Sequence, residues 1–314
     1  MKKALKIFGV IILILVLLGA AGISVFTGRA VTEEATQLVS REETIQHKAL
    51  YREEYEAFAA KYPVEEVGIP STTFDYEIPG ILAKGEGSGH VAVLLHGLGG
   101  TKTSMSAVAE QLLNLGFDVL ICDQRNSGEH PAEENSFGIL ESYDALDALA
   151  YAREMAGPEG KVLLYGESFG GSTAVMAVAR DATNVDALIL DSPLTRGGDL
   201  FLETLAEVEA QEGIPASFMA LTANGYARMK YGFSFSEANA ADWIQGKELD
   251  FPVLLIASPV DEVLSYEDMV ALYESLESEE KELYVDEKYG HIGLATQGPE
   301  EYRSLLEGFF QRHL

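Results

Sequence analysis

Apolar positions along this chain fall into short unbroken runs, separated by stretches in which they recur every three or four residues. The strand candidates that hold these runs are 91–95, 117–122, 161–165, 186–190, 252–257 and 282–286. Continuous apolar runs of this length, bounded by turn residues, predict strands buried on both faces. Helical repeats occupy 102–115, 138–156, 168–181, 265–277 and 297–312. Over 138–156, Ile139, Leu140, Tyr143, Leu146, Leu149, Ala150 and Met155 make one apolar stripe. Alternation of the two patterns predicts an α/β fold, a mostly parallel central sheet with helices on both faces. Two weaker runs, around 72–78 and 80–84, predict antiparallel edge strands.

Between Pro193 and about Gln245 the alternation stops. Leu200–Val208 and Pro215–Met229 carry helical patterns, so about 193–245 reads as a helical cap insertion. A cap of this kind excludes water and gates access. Its aromatic and Met residues (Phe218, Met219, Tyr226, Met229, Tyr231, Phe233) supply either a pocket lining or, as the default, the cap's own packing.

The amino terminus differs in character. Lys2, Lys3 and Lys6 precede Ile7–Phe26, which carries no charged residue and is about 20 residues long, the length that crosses a bilayer. Basic residues before the span and acidic residues after it predict an uncleaved signal anchor with the bulk of the chain outside the cytoplasm. A cleaved signal peptide, cut near Gly19-Ala20-Ala21-Gly22, is the alternative. Residues 1–28 are thus read as a cytoplasmic stub and transmembrane anchor. Residues 29–64 are read as an acidic helical stalk, a solvated spacer unless Leu38, Ile45, Leu50, Tyr55 and Phe58 pack one face of it on the domain or on a partner. Residues 65–314 are read as the main folded domain, ample for one hydrophobic core.

Charge narrows the partners. With 22 Lys and Arg against 50 Asp and Glu, the formal net charge is −28, which argues against nucleic acid and anionic lipid as partners. The single cysteine, Cys122, ends a strand run and cannot form an internal disulfide. No metal-ligand spacing such as His-Glu-x-x-His occurs, and no cofactor is implied.

The candidate chemistry lies at strand ends. Gly166-Glu167-Ser168-Phe169-Gly170 sits between an apolar run and a small-residue helix, the setting of a nucleophile elbow. Alone, this five-residue pattern is weak. His96-Gly97-Leu98-Gly99-Gly100 follows another strand run, where an oxyanion hole built from the N–H groups of Leu98 and Phe169 is expected. A phosphate-binding loop is excluded at this place, because Thr101 rather than glycine precedes Lys102. Asp261 lies just past a strand end, with Glu262 and Asp191 as competitors for the acid. His291 lies in a glycine-flanked loop after the last strand run and supplies a group that titrates in the working range. The chain order Ser168, Asp261, His291 suits a catalytic triad. His96 is expected to hold loops by hydrogen bonds. Candidate substrate-contacting residues are His96, Gly97, Glu167 and His130 near these loops, and Tyr226 and Met229 in the cap.

Taken together, the elbow, His96-Gly97, Asp123-Gln124-Arg125-Asn126-Ser127-Gly128, Leu188–Pro193, Asp261 and His291 give the chain a resemblance to α/β-hydrolase-fold serine hydrolases over roughly residues 65–314. The nearest likeness is to bacterial members of the serine-aminopeptidase and monoglyceride-lipase-like group that carry an amino-terminal membrane segment. That resemblance maps the family's triad onto Ser168, Asp261 and His291. One departure is His130, which stands where many relatives have a serine. The implied activity is cleavage of carboxylic esters or thioesters of modest size. Peptide or amide cleavage and acyl transfer use the same residues and stay open, as does a non-catalytic surface binding protein on the same fold.

Overall fold

The computed structural model describes the backbone of residues 2–87 and 89–314, and side chains from Leu17 onward apart from Ser88. Its centre is one eight-stranded sheet. The strands are β1 (Val64–Pro70), β2 (Glu77–Ala83), β3 (His90–Leu95), β4 (Phe117–Cys122), β5 (Val162–Glu167), β6 (Ala187–Asp191), β7 (Val253–Ala257) and β8 (Lys281–Val285), in the spatial order β1-β2-β4-β3-β5-β6-β7-β8. From β4 to β8 every neighbouring pair is parallel, and β1 and β2 add an antiparallel edge. The middle strands β5, β6 and β7 are buried at every position, which is why they read as unbroken apolar runs.

The helices in chain order are α1 (Lys2–Ala35), α2 (Arg41–Lys48), α3 (Arg52–Lys61), α4 (Ser106–Asn114), α5 (Glu141–Ala156), α6 (Phe169–Arg180), α7 (Gly197–Glu212), α8 (Ala216–Tyr231), α9 (Ala240–Ile244), α10 (Tyr266–Ser275), α11 (Leu294–Gln297) and α12 (Pro299–His313). The chain divides into two compact units, one of residues 39–197 with 238–314 and the other of residues 1–38 with 198–237.

In the larger unit the sequence expectations need two corrections. The edge strand β1 occupies 64–70, and most of the run around 72–78 is the connection to β2. Ser71 N–H donates to Tyr76 O at 3.0 Å, and the Thr72 hydroxyl donates to Asp147 Oδ1 at 2.7 Å. The Thr and aromatic content of that run reflects packing on α5, where Phe74 meets Tyr143 edge-on. The second correction concerns the stalk. Phe58 of α3 is buried in the main core with Met105 and Val108, and Tyr55 packs beside them. Lys61 pairs with Glu110, and Tyr62 OH donates to Asn114 Oδ1 at 3.0 Å. Within this unit, residues 52–62 are therefore part of the body rather than a solvated spacer. Ile45 and Leu50 are exposed and contribute no packing face.

In the smaller unit α1 packs on α8. The Thr32 hydroxyl, fully buried, donates to Ala223 O at 3.1 Å, and Glu33 approaches Lys230. Gly28 permits the contact, since a Cβ there would lie 2.3 Å from Thr222 O. The cap's aromatics pack on one another. Phe201 stacks on Phe235 at 4.3 Å, and Phe233 meets Phe235 edge-on at 5.2 Å. Of the predicted span 7–26, residues 7–16 lie outside the described side chains. Among the described residues no helix is long and apolar enough to cross a membrane.

Candidate active site

Ser168 sits at the turn between β5 and α6 with φ 49° and ψ −118°. A non-glycine residue there is strained, and such strain gathers at functional sites. The backbone around it is pinned by hydrogen bonds. Ser168 N–H donates to Asp191 O at 2.9 Å, and Ser168 O accepts from Leu194 N–H at 2.9 Å and Gly171 N–H at 3.0 Å. The flanking glycines are obligatory by contact. A Cβ on Gly166 would lie 2.4 Å from Gly170 O, and one on Gly170 would lie 2.1 Å from Leu95 O.

Three side chains from three strand ends meet at this turn. His291 Nε2 lies 2.8 Å from Ser168 Oγ, and His291 Nδ1 lies 2.8 Å from Asp261 Oδ2. The Asp261 side chain is fully buried, and its other oxygen accepts Val263 N–H at 2.8 Å and Leu264 N–H at 2.9 Å. The carboxylate thus holds the ring with Nδ1–H donating, which leaves Nε2 to accept the serine proton. Of the competitors, Glu262 is exposed. Asp191 is buried and bonded to Tyr165 OH at 3.3 Å and Ser192 Oγ at 3.3 Å.

The loop after β3 lies against Ser168. A Cβ on Gly97 would be 3.3 Å from Ser168 Cβ. Gly100 N–H donates to Gly97 O at 3.1 Å, and Gly99 has φ +80°, as a type II turn over 97–100 requires. Leu98 N–H sits within this turn. Phe169 N–H opens α6, where the first amides have no partner inside the helix and favour negative charge.

Other predicted contact residues fall elsewhere. His96 is buried, with Nδ1 2.8 Å from Gly97 O and Nε2 accepting from Gln124 N–H at 3.0 Å. Burial holds its pKa below the usual imidazole value, so it is a neutral brace between two loops. His130 is a correction. It is fully buried, 3.2 Å from Asp144 Oδ2 and edge-on to Tyr76, so it cannot meet substrate. Burial pushes the Cys122 thiol up to about 12, which makes it an inert core residue. In the smaller unit, Tyr226 packs beside Gly28, and Met229 is exposed. Glu167 is 9% exposed, its carboxyl turned toward Gly97 N–H at 3.4 Å.

Sequence reading missed the role of α2. Gly128 N–H donates to the buried Thr44 hydroxyl at 3.1 Å, His47 Nδ1 lies 3.2 Å from Gly99 O, and Asn126 Nδ2 donates to Val39 O at 2.9 Å. The only sequence signal was the capping pattern Ser40-x-x-Glu43, which fixes where α2 starts but not what it rests on.

Comparison with known proteins accords with this architecture. Residues 91–228 match the family model described as alpha/beta hydrolase fold. The uncharacterised protein YqkD of Bacillus subtilis is 26% identical over 243 residues, covering 77% of each chain. The esterase Pf2001 of Pyrococcus furiosus superposes with TM-score 0.63 at 20% identity, over 81% of this chain and 94% of the other. Est1E of Butyrivibrio proteoclasticus, solved with ferulic acid bound, gives 0.59 at 16% identity, over 79% and 98%. With its sheet order, its strand-end loops and these likenesses, the chain has the α/β-hydrolase fold.

Proposed function

We propose that the chain is a serine hydrolase that cleaves carboxylic esters through an acyl-enzyme on Ser168. The observation that carries this reading is the Ser168–His291–Asp261 relay, with both links at 2.8 Å. Ser168 Oγ attacks the ester carbonyl while its proton passes to His291 Nε2. Asp261 stabilises the imidazolium that forms. The developing oxyanion is held by the N–H groups of Leu98 and Phe169. Collapse breaks the C–O bond, and His291 returns the proton to the departing alcohol. Water then repeats the sequence on the acyl-enzyme, and Ser168 is restored. Esters are favoured over amides because structural neighbours that share the fold, Pf2001 among them, are esterases by name.

A fluorophosphonate probe should label the wild-type protein, and Ser168→Ala should not label. Labelling that survives in Ser168→Ala would remove the nucleophile from this reading. A panel of acyl esters against aminoacyl amides then separates esterase from peptidase, with faster ester turnover expected.

The same reading places residues 7–26 in a membrane and the catalytic domain outside the cytoplasm. Its support is the basic flank and the charge-free run of the sequence. Protease added to intact cells should digest the domain, and full protection would reverse the orientation.

A further inference from the structure

Two acids lie directly behind the nucleophile. Glu167 ends β5 and Asp191 ends β6, and they are register partners in the sheet. Partners on parallel neighbours project to the same face, so the two carboxyls share one buried site. Glu167 is 9% exposed and Asp191 1%.

Each acid reaches one of the loops that serve Ser168. Glu167 Oε1 accepts Gly97 N–H at 3.4 Å, one residue before the Leu98 amide of the oxyanion loop. Asp191 Oδ1 accepts the Ser192 hydroxyl at 3.3 Å, and Ser192 Oγ accepts Ile292 N–H at 3.5 Å, one residue after the base His291. Ser192 and Ile292 both hold positive φ, 45° and 48°. These strained conformations need support from neighbours, and the Asp191 chain of bonds supplies it.

We propose that Glu167 and Asp191 act as a buried carboxyl pair that positions the oxyanion loop and the base loop, and that the pair serves hydrolysis only while Glu167 is uncharged. The reason is electrostatic. The tetrahedral intermediate places a negative charge at the Leu98 amide. A carboxylate one residue away, in a water-poor interior, opposes that charge. The proposal rests on Ser168 being the nucleophile.

The surroundings keep Glu167 protonated near neutrality. Burial, followed by the charge of Asp191, pushes the Glu167 carboxyl up to about 8. Burial also lifts Asp191 to about 7, with Asp286 and Asp261 adding to the rise. Tyr165 on β5, Tyr302 on α12 and Tyr51 before α3 also face the pair, all held above the usual phenol range.

The test is the rate of fluorophosphonate labelling of Ser168 between pH 6 and 10, in full-length wild type, Glu167→Gln, Asp191→Asn and Ser168→Ala. Wild type should lose about tenfold in rate between pH 7 and pH 10, part of what one oxyanion donor contributes. Glu167→Gln, whatever its rate at pH 7, should lose that alkaline fall. Asp191→Asn should move the fall to lower pH, because a negative neighbour no longer holds the proton on Glu167. A wild-type rate that stays flat to pH 10 overturns the proposal without reference to any variant. So does a Glu167→Gln profile that keeps the fall. Labelling of Ser168→Ala would instead overturn the nucleophile assignment, so the two failures are distinguishable.

Discussion

A serine at φ 49° and ψ −118° is held there by four backbone hydrogen bonds and by close backbone packing at Gly166 and Gly170, at a cost on the order of 1–3 kcal/mol. Its return is that Oγ stands 2.8 Å from His291 Nε2. The same economy of position separates the two candidate acids. Asp261 touches the ring, whereas Asp191 reaches the base loop only through Ser192. Asp261→Asn should therefore lower kcat about 10⁴-fold, as expected when the base loses its correct tautomer. Asp191→Asn should cost far less at neutral pH, and the reverse order in ester turnover would exchange the two roles. Glu167 also makes a stability prediction. Burial, and then the charge of Asp191, pushes its carboxyl up to about 8 from the usual 4.5. Between those values the folded state keeps a proton that the unfolded chain has released, so stability falls as pH rises across that window. Glu167→Gln removes this dependence. The melting temperature of the variant should exceed that of wild type at pH 9, by an amount worth a few kcal/mol. Below pH 4.5 the gap should close, and a gap independent of pH would mean that Glu167 is ionised in the fold.

At the scale of elements, α2 and α3 are the segments whose packing most changes the picture. Phe58→Ala should destabilise the protein by about 3–5 kcal/mol in urea unfolding, the cost of emptying an aromatic core site. A spacer in water would lose less than about 0.5 kcal/mol. In the smaller unit, Gly28→Ala should loosen α1 from α8, because its Cβ would fall 2.3 Å from the Thr222 carbonyl. Faster limited proteolysis within 198–237 is the expected readout. The legibility of these elements follows their burial. Strands β3 to β7 were readable because burial on both faces demands unbroken apolar runs. β1 was not, because Glu65, Glu66 and Gly68 are exposed, Val64 and Val67 are only half-buried, and its pattern is no cleaner than that of a loop. Strand ends are visible in sequence, and that is why Ser168, Asp261 and His291 could be picked out and now lie within hydrogen-bond reach. What a buried side chain meets is not visible. His130 finds Asp144 across the interior, and Thr44 finds Gly128 from a helix 84 residues away. Contacts of that separation leave no local pattern.

For the whole molecule the dominant quantity is a net charge of −28. Over distances longer than the screening length, such a field draws cations toward the protein and turns anions away. Ester hydrolysis converts a neutral substrate into a carboxylate, so the field acts differently on what enters and what leaves. A choline ester and its neutral 3,3-dimethylbutyl isostere share shape and leaving-group oxygen but differ in charge, which isolates this effect. At about 0.01 M salt the screening length is about 30 Å, and near 1 M it is about 3 Å. The ratio of kcat/KM for the cationic over the neutral ester should therefore fall several-fold across that range. Inhibition by the carboxylate product should tighten over the same range, since its repulsion is screened. A ratio that stays flat would mean that the acidic excess lies too far from Ser168 to steer substrate. In that case the charge serves solubility alone, and selection among esters rests on contacts at the site.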